Sequence, residues 1–209
     1  MNARDLLRPA KRCAEEIYFR ATGSLKLTGR YQLPSLLNAR ALLGTGVEVG
    51  VFEGSFSNYL LTHWRGQKLI SVDPWRMFGP EYEDMCNREQ TEMDRLFERT
   101  KTLLSAHGPR SEVWRMTGVE AAAKIKDGSL DFVYIDAQHH EEAVAEDVRQ
   151  WFPKLRPGGL LAGHDYLDGE FSYGRFGVKT AVDRFIKEQG LSLHVTTGEA
   201  SPTWFCFRT

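Results

Sequence analysis

Short apolar segments alternate with amphipathic segments from residue 45 to residue 190, and this alternation constrains the fold more than any other feature. Strands are predicted over 45–51, 67–74, 111–116, 130–136 and 160–166. After each of them, apolar residues recur three or four positions apart, the spacing of one helix face. Because a helix that joins two strands of one sheet makes them parallel, the pattern predicts a doubly wound α/β sheet.

The C-terminal segment departs from this alternation. Two further strands are predicted over 192–197 and 203–208, joined by the short link GEASP. That link is too short for a parallel crossover, so an antiparallel strand is expected near the C-terminus of a mostly parallel sheet. Residues 1–44 are predicted to form an N-terminal helical cap and 45–209 the main domain, since 209 residues suit one well-buried core.

Charge and cysteine content exclude several classes of protein. The formal net charge is -1 and lysine and arginine form no run, which disfavours a nucleic-acid partner. Cys13, Cys86 and Cys206 are far apart, so neither a disulfide framework nor a thiolate zinc site is expected. No apolar run approaches the roughly 18 residues of a membrane span, and the acidic N-terminus is unlike a signal peptide. A cytoplasmic protein that acts on small molecules, without a membrane partner, is predicted.

Glycines and acids follow the first two predicted strands. Glu48, Gly50 and Gly54 form the pattern ExGxxxG, and Asp73 ends the second strand. Ligands of doubly wound sheets bind beyond the carboxyl ends of the strands, where glycine lets the backbone approach and acids accept hydrogen bonds. A structural glycine turn explains the glycines equally well on their own.

The stretch VYIDAQHHEEAV places polar residues directly after the fourth predicted strand. Asp136, His139 and His140 precede a helix, and Asp165 follows the fifth strand. A polar loop at a helix start is one interpretation, because acids in a first turn suit the helix dipole. A catalytic site is the other, with His139 favoured over His140.

Two neighbouring segments carry weaker sequence signals. Glu146 and Asp147 are expected on the solvated face of the helix that follows. Residues 165–177 combine glycines with aromatic residues, a composition typical of a mobile lid that covers the acceptor.

The motifs EVGVFEG, SVDPW, RMTG, LDFVYID and LRPGGLLAGHDY occur in this order. They resemble the successive motifs of class I S-adenosylmethionine-dependent methyltransferases, over about residues 45 to 209. The resemblance implies a Rossmann-like sheet of seven strands with S-adenosylmethionine as cofactor. It also implies three groups of cofactor contacts: Glu48, Gly50 and Gly54 at the methionine part, Asp73 at the ribose, and Thr117 with Gly118 beside the adenine.

The segments IDAQHH and HDY are similar to the strand ends of metal-dependent small-molecule O-methyltransferases that act on catechols and macrolide sugars. This resemblance implies that Asp136, His164 and Asp165 bind a divalent ion, magnesium or manganese. It implies that His139 removes the proton from the acceptor hydroxyl. His164 stands where an acid or an amide is usual, which leaves the identity of the metal open.

The sequence therefore predicts an S-adenosylmethionine-dependent methyltransferase that methylates a hydroxyl of a small molecule, a sugar or a phenol, with a divalent metal and a histidine base. Two alternatives stay open. One is a metal-independent methyltransferase, and the other is a module that binds the cofactor or a nucleotide without turnover. The resemblance also allows for a homodimer.

Overall fold

The computed structural model of the chain describes residues 3–79, 82, 86–172 and 174–209, with side chains from residue 11 onward. The helices are α1 Ala3–Thr22, α2 Leu33–Ala39, α3 Ser55–His63, α4 Gln90–Ser105, α5 Gly118–Lys124, α6 Glu141–Trp151 and α7 Val178–Gln189. The strands are β1 Thr45–Val49, β2 Lys68–Asp73, β3 Ser111–Arg115, β4 Leu130–Ile135, β5 Leu155–Gly163, β6 Asp168–Phe171, β7 Gly174–Gly177, β8 His194–Val195 and β9 Trp204–Phe207.

Seven of these strands form one sheet in the order β3-β2-β1-β4-β5-β9-β8. The first five are parallel, and β9 runs antiparallel to both β5 and β8. The strand order reverses between β1 and β4, so the carboxyl ends of these two strands border the crevice in which doubly wound folds bind ligands. The predicted fold class, a seven-stranded, mostly parallel sheet with an antiparallel strand near the C-terminus, is confirmed.

Helices cover both faces of the sheet, which explains why the central strands are apolar throughout. On one face, α5, α6 and α7 pack on a cluster that contains Val47, Val133 and Leu161. On the other face, the N-terminal segment and α3 pack on a cluster that contains Phe132, Leu160 and Phe205. Residues 1–44, predicted to be a cap, contribute Leu36 and Leu37 to this second cluster.

The strand boundaries differ from the predictions mainly at the C-terminal side. β5 begins at Leu155, so the LRPGG segment belongs to the strand, and it ends at Gly163 just before His164. β8 contains only His194 and Val195, because only these two residues pair with β9. Within the predicted lid, β6 (Asp168–Phe171) and β7 (Gly174–Gly177) pair as a separate antiparallel hairpin.

Candidate functional site

A cavity of about 500 Å³ opens at the carboxyl ends of β1, β2 and β4. Seven of the predicted site residues line it: Glu48, Gly50, Asp73, Thr117, Gly118, Asp136 and His139. The position agrees with the crevice at the reversal of strand order. The sequence therefore located the cavity from residues on four separate segments.

Gly50 allows the ends of β1 and β4 to approach each other. Its φ is +85°, and a Cβ at this position would overlap the carbonyl oxygen of Asp136. The Asp136 backbone N–H donates to the Val49 carbonyl at 2.7 Å. Gly54 has a different role, since it precedes α3 with φ +75° and its N–H donates to Val51 at 2.9 Å. Only glycine adopts both conformations without strain.

Glu48 is a buried acid at the end of β1, with 2% of its surface exposed. Ser57 donates a hydrogen bond to its carboxylate, and Ser57 is also 2.9 Å from the Ser71 hydroxyl. Burial raises the pKa of Glu48 to about 8, although the Ser57 hydrogen bond opposes that rise. A cation placed beside this group, such as a ligand ammonium, would therefore favour its ionised form.

Asp73 organises the turn between β1 and α3. Its carboxylate accepts backbone hydrogen bonds from Val51 and Phe52 at 2.9 Å and from Trp75 at 2.7 Å. Burial raises the pKa of Asp73, and these three donors oppose the rise. Because the carboxylate already serves the loop, a contact with the cofactor ribose would add to a role in positioning the backbone.

Phe52 and Trp75 hold strained backbone conformations beside the cavity, with φ of +50° and +40°. The Phe52 carbonyl accepts from Trp75 Nε1 at 2.9 Å and from the Thr100 hydroxyl at 3.1 Å. A non-glycine residue in the left-handed region costs about 1–3 kcal/mol. These hydrogen bonds hold Phe52 in the conformation that glycine would adopt more readily, which explains how the turn tolerates an aromatic residue.

Asp147 contradicts the prediction that it lies on a solvated helix face. It is 8% exposed and lines the cavity, whereas its neighbour Glu146 is exposed. The prediction was wrong because α6 turns Asp147 inward together with Val148 and Trp151. Burial, followed by the nearby charge of Glu146, raises the pKa of Asp147 to about 7.

Thr117 and Gly118 lie where β3 passes into α5. The Thr117 hydroxyl caps this helix by accepting from the Glu120 N–H, while the Glu120 carboxylate accepts from Thr117. A side chain at Gly118 would begin 3.0 Å from Asp147 Oδ1. The absence of a side chain here keeps the Asp147 carboxylate adjacent to the cavity.

The second half of the predicted site is a cluster of acids and histidines. Single ligand atoms of Asp136, His139 and Asp165 all lie within 4.8 Å of one another. Asp165 Oδ2 is 3.2 Å from both His139 Nε2 and His164 Nδ1, and His164 Nδ1 is 4.0 Å from Asp136 Oδ2. The structure thus brings together all four residues, with His139 as close to the two acids as His164.

Asp165 is ionised at the centre of this cluster. Burial alone would raise the pKa of its carboxyl, but hydrogen bonds from His139 and His164 lower it well below its usual range. Asp165 also has a φ of +50°, a strained conformation for a non-glycine residue. The backbone strain and the shared hydrogen bonds mark this residue as one whose position is set by the site.

Arg30 is a site residue that the sequence analysis missed. It follows Gly29 in the N-terminal segment, and its Nη1 lies 3.2 Å from Asp136 Oδ2. Glu199 accepts from its backbone N–H at 2.8 Å, and its guanidinium lies 5.0 Å from the centre of the Phe56 ring. An isolated arginine far from the motifs carries no signal in sequence, because 106 positions separate it from Asp136.

The two adjacent histidines contact different parts of the molecule. The ring of His139 stacks on Phe176 of β7 with centroids 4.4 Å apart, and its carbonyl accepts from Gly177 N–H at 2.8 Å. The His140 ring instead faces Tyr82, at 5.6 Å. The hairpin of β6 and β7 therefore packs directly on His139.

The sequence belongs to a recognised family. The family described as methyltransferase domain matches residues 47–166, which is more than half of the chain, so the chain belongs to it. A protein of Sinorhizobium fredii, y4gI, is 25% identical over 138 residues, covering 66% of this chain and 14% of that protein. The R132 protein of Acanthamoeba polyphaga mimivirus is 24% identical over 132 residues, covering 61% of this chain and 54% of that protein. The chain thus matches only part of the length of either relative.

Solved structures share the fold over almost the whole chain. An O-methyltransferase from Bacillus cereus in complex with S-adenosylhomocysteine has a TM-score of 0.57 and 13% identity, covering 95% of this chain and 91% of that one. The O-methyltransferase TomG from Streptomyces achromogenes, in complex with S-adenosylmethionine, has a TM-score of 0.58 and 13% identity, covering 95% and 89%. The protein has the fold of class I S-adenosylmethionine-dependent methyltransferases.

No described helix is long and apolar enough to cross a membrane.

The raised pKa of Asp147 predicts how the stability of the ligand-free protein depends on pH. In the unfolded chain an aspartate loses its proton near pH 3.9, whereas Asp147 in the folded protein retains it to about pH 7. Because the unfolded state deprotonates first, the free energy of unfolding falls between these values, by at most about 4 kcal/mol. Asp147→Asn should therefore melt above the wild type at pH 8.

The comparison is made by calorimetric melting at pH 4 and pH 8, with Glu142→Gln, an exposed change on α6, as control. The advantage of Asp147→Asn should shrink or disappear at pH 4, where the wild-type carboxyl is neutral. An advantage of equal size at both pH values would contradict the burial of an ionisable group.

Proposed function

We propose that this protein transfers a methyl group from S-adenosylmethionine to a hydroxyl of a small molecule, a sugar or a phenol, with the cluster around Asp136 and Asp165 as the acceptor side of the site. The observation that carries the proposal is the juxtaposition of two features. A cavity bordered by Glu48, Gly50 and Asp73 lies next to a cluster of two acids and two histidines at the neighbouring strand ends.

The fold and the family support the choice of cofactor. S-adenosylmethionine carries an ammonium, a ribose diol and an adenine, and the cavity offers an acid or a glycine turn for each of them. The buried Glu48 suits the ammonium, and Gly50 lets the backbone approach the methionine part. The O-methyltransferases from Bacillus cereus and Streptomyces achromogenes, whose structures contain S-adenosylhomocysteine and S-adenosylmethionine, support the same choice.

The acceptor chemistry explains the types of residue in the cluster. The sulfonium already activates the methyl group, so the protein must mainly position the acceptor oxygen and remove its proton. Asp165 Oδ2 lies 3.2 Å from His139 Nε2, so this carboxylate favours the His139 ring that carries its proton on Nε2. With the proton on Nε2, Nδ1 of a neutral His139 carries the lone pair that accepts the hydroxyl proton.

The donor set of the cluster fits a divalent metal. Asp136 and Asp165 would hold the ion with His164, and the mixture of carboxylates with imidazole suits manganese as well as magnesium. When bound, such an ion lowers the pKa of a coordinated hydroxyl. His139 is also within reach of both acids, which makes the set of Asp136, His139 and Asp165 a second arrangement.

The position of Arg30 favours a metal-independent enzyme as the second candidate. Its guanidinium at 3.2 Å already supplies a positive charge to Asp136 Oδ2, an atom that a metal would share. In that enzyme, the dyad of His139 and Asp165 alone would activate the hydroxyl. A module that binds the cofactor without turnover is the third candidate. In such a module, neither His139 nor Asp165 would take part in a reaction.

The proposed cofactor predicts that S-adenosylhomocysteine binds and that NAD does not. Glu48→Gln should weaken this binding about 10-fold or more, because a charged hydrogen bond to the ammonium contributes about 1.5–3 kcal/mol. Isothermal calorimetry measures the binding of both ligands to the wild type and of S-adenosylhomocysteine to Glu48→Gln. Glu112→Gln serves as control, since Glu112 on β3 pairs with Lys68 on β2 and neither residue lines the cavity. Binding of NAD in place of S-adenosylhomocysteine would refute the proposal.

The proposed metal site predicts that the protein retains about one Mn²⁺ per chain after dialysis, measured by elemental analysis. Asp136→Asn and Asp165→Asn should each lower the affinity at least tenfold, because even residues that only support metal ligands are worth about 10- to 100-fold. The exposed Asp127→Asn, which pairs with Lys154, should retain the ion.

If His139→Ala also loses the ion while His164→Ala keeps it, His139 is a ligand and the second arrangement holds. Absence of Mn²⁺ from the wild type at millimolar concentration would leave the metal-independent enzyme.

The proposed base predicts the effect of removing His139. With an acceptor found by screening phenols and sugars, His139→Ala should lower kcat by about 10²- to 10⁴-fold, the usual contribution of a general base. Its affinity for S-adenosylhomocysteine should stay near that of the wild type. His140→Ala is the matched control because that ring faces Tyr82. A larger loss in His140→Ala, or an unchanged kcat in His139→Ala, would contradict the assignment.

A further inference from the structure

Asp147 is the one charged residue on the buried face of α6. The other residues of this face are apolar or aromatic: Val144, Ala145, Val148 and Trp151. The Asp147 side chain is enclosed except toward the cavity, which it lines together with Thr117 and Gly118. The helix thus directs a carboxylate through its packing face into the proposed cofactor site.

No hydrogen bond or ion pair to this carboxylate occurs among the described residues, and the charge that acts on it is that of Glu146, which has the same sign. An acid buried without a donor is costly, because it loses its hydration and gains nothing in return. A leucine or valine at this position would pack in the same layer without that cost. The acid therefore adds no stability to the ligand-free protein. It would instead stabilise a bound ligand that donates a hydrogen bond to it.

The position of Asp147 identifies which part of the cofactor it can reach. A side chain at Gly118 would begin 3.0 Å from Asp147 Oδ1, and Gly118 opens α5 directly after β3. In the sheet order β3-β2-β1, Gly118 after the end of β3 lies two strands away from Glu48 on β1. If Glu48 receives the ammonium and Asp73 on β2 lies by the ribose, the base of the nucleoside extends toward Asp147.

We propose that the Asp147 carboxylate accepts a hydrogen bond from the 6-amino group of the cofactor adenine and thereby selects an adenosyl cofactor against one with a 6-oxo base. This inference rests on the proposed function, in which the cavity binds S-adenosylmethionine. The exocyclic amine is the donor that the edge of adenine offers, and a carboxylate accepts hydrogen bonds only. A 6-oxo group would place an acceptor against an acceptor, so the site would discriminate strongly.

The test compares S-adenosylhomocysteine with S-inosylhomocysteine, which has a carbonyl in place of the amine, by isothermal calorimetry at pH 8. The wild type should bind the adenosyl compound about 10- to 100-fold more tightly, the worth of a hydrogen bond to a charged group. Asp147→Asn should lose at least tenfold of this preference, since its amide can turn either an acceptor or a donor toward the base.

Glu146→Gln is the matched control, because Glu146 is the adjacent acid on the exposed side of α6 and also borders the cavity. It should retain the wild-type preference. Equal discrimination by Asp147→Asn and the wild type, or equal binding of the two compounds by the wild type, would overturn the role of Asp147 and leave the proposed function standing. Failure of the wild type to bind S-adenosylhomocysteine at all would overturn both.

Discussion

The contact between the backbone of Gly50 and the carbonyl of Asp136 is the constraint on which the rest of the site depends. Because Gly50 has no side chain, the turn after β1 lies directly against the end of β4. The cavity for the proposed cofactor is built on the first of these segments, and the acid and histidine cluster begins on the second. Methyl transfer requires donor and acceptor in contact, so this approach of two strand ends sets the distance that the chemistry needs.

The site is maintained at a cost to the stability of the ligand-free fold. Burial raises the pKa of Glu48 and Asp147, and Phe52, Trp75 and Asp165 hold left-handed backbone conformations. Buried acids and strained residues concentrate at functional sites because a ligand or a transition state recovers their cost. Large apolar clusters on both faces of the sheet supply the stability that offsets them.

Asp165 links the parts of the proposed acceptor side. Its carboxylate receives hydrogen bonds from the proposed base His139 and from His164, and the low pKa of Asp165 keeps it charged for both. Phe176 covers the His139 ring from the hairpin that follows β5. Arg30 reaches the same cluster through Asp136 from the opposite end of the chain. The proposed acceptor side thus combines the N-terminal segment, two strand ends and a hairpin, and variation in these parts would change the substrate without altering the sheet.

The sequence by itself determined the doubly wound sheet, the cavity at its strand ends and the grouping of Asp136, His139, His164 and Asp165. The sheet, the cavity and the placement of Asp136 and Asp165 follow from local periodicity and from the rule that parallel strands end at one edge. The inclusion of His164 follows from the resemblance to metal-dependent O-methyltransferases. Only the tertiary structure decided that Arg30 joins the cluster and that Asp147 turns inward. The reason is physical: a contact between residues 106 positions apart leaves no periodic pattern, and the rotation of α6 about its axis is set by packing on its neighbours.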